Sequence, residues 1–568
     1  MNVSIPENLA TIAPNLEKQL SELLIWFSDL VFARLISREQ GHLLVQLTDL
    51  LDWCAMECAC AAYHQHNGNG RPVEHSVPRL LRAMLVKYLY GCSLRELEEK
   101  IRYNIMVKWF VGYPIYAPGP DHTTLHRFEM YLCVHHPRLF FDKVVQQIEQ
   151  AFPDERPHTL LGDTFALHAN AALESLIVRL RHTMQELLRA YQADNPEAYT
   201  RLWSDFAHDG LFGRADEKTA CYLSTSEWQQ RLFACVVAVL NGQHLLRQQE
   251  VTPAVQLWLD RLDKIFADEL RLEQDDHGQL LHLTLCTKRG TYRICSATDP
   301  EATIRNHGGS KKDFGYNVSV LATIHFIYEI QADTGSRPDG DALPDVLQSF
   351  IDQHNTVPEK LIYDQAAGHG KTVTQIQAIS KEQTQLVCKP MPKKKKKGDA
   401  FTHEDYDYDP ETHTLTCPNG RIATRVYRSG SGEGDNFRFV AGQCVGCPLL
   451  QRCRGSEDKP TTPKVIFLSD YREEWYQLQA YSQTDEFKED MKLRPQVERV
   501  IAGLVLHNDA RRARFRGKTK VDFQMKMCAT AYNLKRWVVL QQGKPTQKRK
   551  RFSAPLPAKG EVGLVVVK

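Results

Sequence analysis

Two short segments, TLLGDTFALHANA at 159–171 and PEKLIYDQAAGHG at 358–370, each carry one aspartate, Asp163 and Asp364, in an apolar stretch. Their length and flanking turn residues read as strands, with Asp163 inside the first and Asp364 at the end of the second. Around them the sequence alternates between strand-like and helical stretches, a pattern that predicts an α/β sheet. GYNVSVLATIHFIYEIQADTG (315–335) has the β-branched and aromatic content of paired strands, and LLHLTLCTKRGTYRICSATDP reads as a hairpin turning at Lys288-Arg289-Gly290. TQLVCKP supplies another strand after a helix.

With 568 residues the chain is long enough for three or four domains. Residues 15 to 65 read as amphipathic helix, and HNGNGRP (66–72) ends that unit, so 1–70 forms an N-terminal helical segment. SVPRLLRAMLVKYLYG follows as a helix closed by Gly91, and Ser93 with Glu96 opens LRELEEKIRYN through a capping box. Asp121 can cap a third helix, DHTTLHRFEMYL. Residues 71–150 thus have the outline of a helix-turn-helix DNA reader, although any small helical bundle shares that outline.

Between Asp163 and Asp364, Leu173, Ile177, Leu180, Met184, Leu187 and Tyr191 recur at spacings of three and four. Val255, Leu259, Leu262 and Phe266 do so behind a Thr252-Pro253 start. Residues 171–275 therefore read as a helical insertion.

Charge is segregated along the chain. The net charge is only +2, yet from Met491 to Phe552 there are 17 Lys or Arg against three acids, Glu498, Asp509 and Asp522, a local excess of +14. A basic stretch of this density points to nucleic acid. The run Lys393–Lys397 is either a solvated loop or a second DNA-facing one.

Fifteen cysteines occur without a secretory leader at the N-terminus, so the thiols are expected to be reduced. No apolar run reaches the length that spans a bilayer, so no membrane anchor is expected and a cytoplasmic location is the expectation. Cys417, Cys444, Cys447 and Cys453 form C-x26-C-x2-C-x5-C among turn formers, a set that suits a tetrahedral structural Zn²⁺, with an iron-sulfur cluster or no metal as the other readings. Cys54, Cys58, Cys60, His64 and His66 lie in one helical stretch and do not converge, so they read as helix core or surface.

Strand-end aspartates usually cap or turn the chain. Asp163, Asp364 and Glu498 taken together can also form a carboxylate cage for two Mg²⁺ (or Mn²⁺) ions, the hard-oxygen arrangement that cleaves phosphodiesters.

From about residue 70 to 540 the chain resembles the DDE-class transposases of bacterial insertion sequences. The matching pieces are VPRLLRAMLVKYLYGCSLRELEEKI with DHTTLHRF, LLGDTFALHANAA, TDPEA, KKDFGYNV, LIYDQAAG, the cysteine insertion, and RPQVERVIAGL with ARRARFRG and ATAYNLKRW. The resemblance implies a ribonuclease-H-like core, in 151–170 and 276–400, with Asp163, Asp364 and Glu498 as metal ligands. It adds a small zinc-ribbon-like insertion at 401–465, core helices with the catalytic Glu at 466–540 and a basic tail at 541–568.

The family's glutamate helix usually reads Tyr, two residues, Arg, three residues, Glu, six residues, Lys. Arg494 and Glu498 keep that spacing, whereas Met491 and Val505 replace the tyrosine and the lysine, leaving Lys492, Arg499 or Arg511 to take over their phosphate contacts. Arg494 would orient phosphate, and Lys311, Lys312, Tyr316 and Asn317, with Arg499, Arg511, Arg512, Arg514 and Arg516, are expected DNA contacts. The implied activity is cleavage at transposon ends followed by joining to target DNA, with double-stranded DNA as partner and a homodimer holding two ends. A non-enzymatic DNA-binding descendant and a plain nuclease on the same fold are the alternatives.

Overall fold

The computed structural model describes residues 14–64, 74–155, 157–206, 208–213, 223–276, 278–287, 292–306, 312–392, 401–454 and 462–542. The Lys393–Lys397 run, Lys311, the turn at 288–290 and the tail from 543 lie outside these residues.

The N-terminal region is helical: α1 (Pro14–Arg38), α2 (Leu43–Leu50), α3 (Trp53–Ala59), α4 (Val77–Tyr90), α5 (Leu94–Tyr103), α6 (Ile105–Val111), α7 (His122–His135) and α8 (Leu139–Ala151). Local chemistry sets these boundaries. Gly91 stops α4 in the left-handed region at φ 63°, Ser93 and Glu96 complete the capping box of α5, and Asp121 accepts from the Thr124 amide to start α7. The helix read over 15–65 is divided in three, with breaks around Gly41 and Asp52.

The sheet begins with β1 (Thr159–His168). After it come α9 (Leu176–Asp194), α10 (Pro196–Asp205), α11 (His208–Phe212), α12 (Thr225–Arg247) and α13 (Pro253–Glu269), which bury Leu180, Met184, Val236, Leu259 and Leu262 in a core of their own. β2 (Leu270–Gln274) and β3 (Leu280–Leu285) then pair as a hairpin. Between the two strands the Asp275 side chain accepts from the Gln279 amide at 2.7 Å, an aspartate bonded to the backbone ahead of it being a turn former.

β4 (Thr303–Asn306), β5 (Lys312–Ala322), β6 (Ile327–Thr334), α14 (Asp339–His354), β7 (Lys360–Ile362), α15 (Gly370–Ser380) and β8 (Gln385–Val387) complete the sheet. β1 lies between β5, antiparallel, and β7, parallel; β8 follows β7, and β6 pairs with β5.

The cysteine-bearing region holds the hairpin of β9 (Asp407–Asp409) with β10 (Thr414–Thr416). Beside it a three-stranded sheet is formed by β11 (Arg425–Arg428), β12 (Gly434–Phe439) and, after α16 (Leu450–Arg454), β13 (Lys464–Ser469). Its core is small: Phe401, Tyr406, Leu415, Phe437, Phe439, Ile466 and Leu468. α17 (Arg472–Tyr481), α18 (Asp485–Asp490), α19 (Pro495–His507) and α20 (Lys518–Gln541) end the described chain.

α20 closes the outer edge of β6 with side chains. Asn533 both accepts from and donates to the Ile327 backbone, Asp522 accepts from the Ala332 amide, and Lys526 donates to the Ile330 carbonyl. These bonds satisfy backbone groups that an edge strand would otherwise leave open. The other side of α20 packs against α4 and α8, so one continuous core runs from Leu44 to Val538.

Candidate active site

The parallel pairing of β1 with β7 sets Leu161 opposite Ile362, and two residues further on come Asp163 and Asp364. Both side chains are tied at one oxygen. Asp163 Oδ1 accepts from the Thr164 amide at 2.8 Å, and Asp364 Oδ1 accepts from the Ala366 amide at 2.9 Å, so Asp364 also caps the turn that follows its strand.

α19 lays its Glu498 end over this edge. Pro495 starts the helix, Val497, Val500 and Leu504 face the core, and Gly503 lets it approach Tyr532 of α20 closely. Arg494, at the helix start, donates to Glu498 Oε1 at 2.7 Å and reaches Asp163 Oδ2 at 3.5 Å. Glu498 is 57% exposed, whereas Asp163 is largely buried.

Burial pushes the Asp163 carboxyl up to about 6, and the charges of Asp364 and Asp339 add to the rise against the opposing pull of the Thr164 amide and Arg494. Asp364 is raised as well, first by burial and then by Asp339. Carboxyls held above their ordinary range by burial and neighbouring acids are poised to be relieved by a cation. Among the described residues, however, no group of three or more His, Cys, Asp or Glu is gathered closely enough to hold a metal ion. The cation bridging Asp163 and Glu498 is the Arg494 guanidinium.

Asp339 is the residue that sequence reasoning missed. In the first turn of α14 it accepts from Asn317 at 2.6 Å and from Arg305 at 3.2 Å, and the same arginine donates to Asn317 and to Thr164, the neighbour of Asp163. Tyr363, between β7 and Asp364, lays its ring on Gly162, where a Cβ would sit 2.5 Å away, and its buried hydroxyl has no hydrogen-bond partner. Nothing in RPDGDALPDV marks its first aspartate apart from the two that follow.

The expected DNA contacts separate into two groups. Lys312, Arg499, Arg511, Arg512 and Arg516 are exposed. Tyr316 and Asn317 are corrected to internal positions: each is 1% exposed, Tyr316 donating to Asp299 at 2.6 Å and Asn317 engaged with Asp339. In β5 both are buried beneath neighbouring elements. Arg514 is half-buried and donates to the carbonyls of Gly91 and Cys92 and to Asp509, so it serves as a tie between the α4–α5 turn and the segment before α20. Met491 and Val505 pack against apolar cores, which accounts for the absence of polar groups there.

Cys417, Cys444, Cys447 and Cys453 all line one cavity of about 30 Å³, together with Tyr406, Arg421 and Lys464. The Tyr406 hydroxyl lies 3.3 Å from Cys453 Sγ and an Arg454 Nη2 lies 3.5 Å from Cys444 Sγ. The four thiols thus share one cavity without standing at ligand spacing.

Residues 33–130 match the family model described as a transposase domain (DUF772), and residues 416–538 match a transposase DDE domain. No curated protein and no solved structure matches the chain. The second match contains Arg494, Glu498 and the four cysteines; Asp163 and Asp364 lie outside both. Among the described residues no helix is long and apolar enough to cross a membrane. Transposases act on DNA, and DDE transposases generally use a divalent metal. A transposase domain near the N-terminus and a transposase DDE domain near the C-terminus together support an insertion-sequence DDE transposase.

Proposed function

We propose that this transposase cuts a phosphodiester at each transposon end and joins the released 3′ hydroxyl to target DNA, with Asp163, Asp364 and Glu498 as the catalytic carboxylates. The observation that carries this reading is the pairing of β1 with β7, two neighbouring inner strands, which sets Asp163 beside the turn that carries Asp364, with the Arg494–Glu498 arm of α19 reaching Asp163. The strand order β6-β5-β1-β7-β8, with the first three antiparallel and the last two parallel to β1, supports a ribonuclease-H-like core.

The donor set fits hard divalent ions: three carboxylates, two of them raised by burial and by neighbouring acids. Mg²⁺ or Mn²⁺ bound there would activate the attacking oxygen and stabilise the leaving one. The chain's own residues do the rest. Asp163 and Asp364 are kept in place by their backbone bonds, and the Arg305–Asn317–Asp339 network supports β1 from Thr164. Arg494 presents a guanidinium to phosphate, and a phosphate that takes it frees the Glu498 carboxylate. Exposed Lys312, Arg499, Arg511, Arg512 and Arg516 line up as phosphate contacts, and Lys311, outside the described residues, adjoins Lys312.

Cys417, Cys444, Cys447 and Cys453, which line one cavity, would be the residues to hold a structural Zn²⁺. Double-stranded DNA is the partner, which sets the location at the nucleoid, and joining two ends calls for a homodimer.

A second reading, DNA binding without chemistry, is favoured by the dispersed carboxylates. Incubating the purified protein with Mg²⁺ and DNA carrying its own terminal repeats separates them. Cutting and joining by the wild type, lost by orders of magnitude in Asp163→Asn, Asp364→Asn and Glu498→Gln, is the expected result; cutting without joining would make it a nuclease, and binding alone would reject the catalytic reading.

A further inference from the structure

α1 is apolar on two faces. Ser28 and Phe32 face the body of the protein, where Ser28 is buried and its hydroxyl accepts from the Ile115 amide at 3.2 Å. Away from that contact, Leu20, Leu23, Phe27 and Leu30 are 56%, 59%, 53% and 53% exposed, and Leu24 and Trp26 are exposed to either side of them; Ile25, also exposed, is in line with Phe32 on the other face. A helix with apolar residues all round is ordinarily buried, yet α1 covers only one side.

The exposed residues are ordered. Positions 20, 23, 27 and 30 follow the three-four-three spacing of a coiled-coil seam, which brings the a and d positions of a heptad onto one line. Such a stripe is complementary to a second copy of itself, because knobs from one helix enter holes of the same shape on the other. The six exposed side chains on that side present on the order of 600 Å² of apolar surface, approaching one partner's share of a standard interface, about 800 Å². Glu22, Asp29 and Arg34 interrupt the helix with charge, and it does not qualify as a membrane span.

We infer that α1 is the surface through which two copies of this chain associate, seam against seam about a two-fold axis. The seam precedes the matched transposase domain, which starts at residue 33. The pairing names the surface by which the proposed homodimer forms, and it stands apart from the catalytic reading, since molecular mass tests one and DNA cleavage the other.

The experiment is sedimentation of the full chain across low-micromolar concentrations, with hydrogen exchange of α1 alongside. Wild type is expected at twice the chain mass, with protection of residues 20–30 rising with concentration. Leu23→Glu with Phe27→Glu is expected at the single-chain mass with an unchanged melting temperature, and the milder Leu20→Ser with Leu30→Ser should weaken self-association by about tenfold or more. The Ser pair and the exchange data decide the matter should the Glu pair fail to fold. A wild type at single-chain mass, seam variants that remain dimers, or exchange at 20–30 that ignores concentration would overturn the inference. So would binding of wild type to phospholipid vesicles in place of self-association.

Discussion

Arg494 Nη2 lies 3.5 Å from Asp163 Oδ2, although 331 positions separate the two residues in the chain. The contact joins the first strand of the sheet to the helix that carries Glu498, and it puts a positive group among three acids. Electrostatically the guanidinium does part of what a divalent ion would do there. Arg494→Met should therefore lower the melting temperature in metal-free buffer by a few degrees and enlarge the rise produced by millimolar Mg²⁺. Thermal melts with and without Mg²⁺ check this; an identical Mg²⁺ response in wild type and variant would contradict it.

The Asp163 carboxyl supplies a pH test. Its folded-state value is about 6 against an ordinary 3.8, so in that interval the folded chain binds more protons than the unfolded one. Stability then falls as pH rises from about 4 to about 6 and stays lower above it. Asp163→Asn, which cannot ionise, should melt about one to three degrees higher than wild type at pH 7.5 without divalent ions and level with it near pH 4.

Asp339 accepts from both Arg305 and Asn317, so Asp339→Ala leaves a buried amide and a guanidinium without their acceptor. The expected loss is roughly 2–3 kcal/mol in denaturant unfolding. Asp339→Asn, which retains one acceptor, should lose less; equal losses would mean that volume rather than hydrogen bonding matters at this position.

For the cysteine cavity, purified protein should contain about one Zn²⁺ per chain. Cys444→Ser with Cys447→Ser should remove it and expose the 401–469 region to protease. Unchanged zinc content in the double variant would refute the ligand set.

Arg511 and Arg514 should behave differently. Arg511→Ala, at an exposed position, is expected to weaken DNA binding evenly across sequences and to reduce the salt slope by about one. Arg514→Ala removes the tie to Gly91 and Cys92 and should cost on the order of 2 kcal/mol of stability while leaving the salt slope intact.

How much of this was legible in the sequence depended on whether the signal was local. Gly91, the Ser93–Glu96 box and Asp121 act within a few residues, and each marks the helix boundary expected of it. Asp163 and Asp364 were legible as strand aspartates because strands announce themselves by composition. Tyr316 and Asn317 could not be told from surface residues, since a polar side chain in a strand reads alike whether it faces water or Asp299 and Asp339. Asp339 was invisible for the same reason: its partners, Arg305 and Asn317, lie 34 and 22 positions away. The pairing of β3 with β2 was not legible, because it rests on the Asp275 side-chain bond between residues that the sequence does not single out.

The closure of β6 by Asn533, Lys526 and Asp522 also bears on which parts of the molecule can come apart alone. Because α20 packs against α4 and α8 as well, the N-terminal helices and the rim of the sheet lean on one and the same helix. Loosening α20 at either contact exposes the other, so the two regions are expected to open together and not one by one.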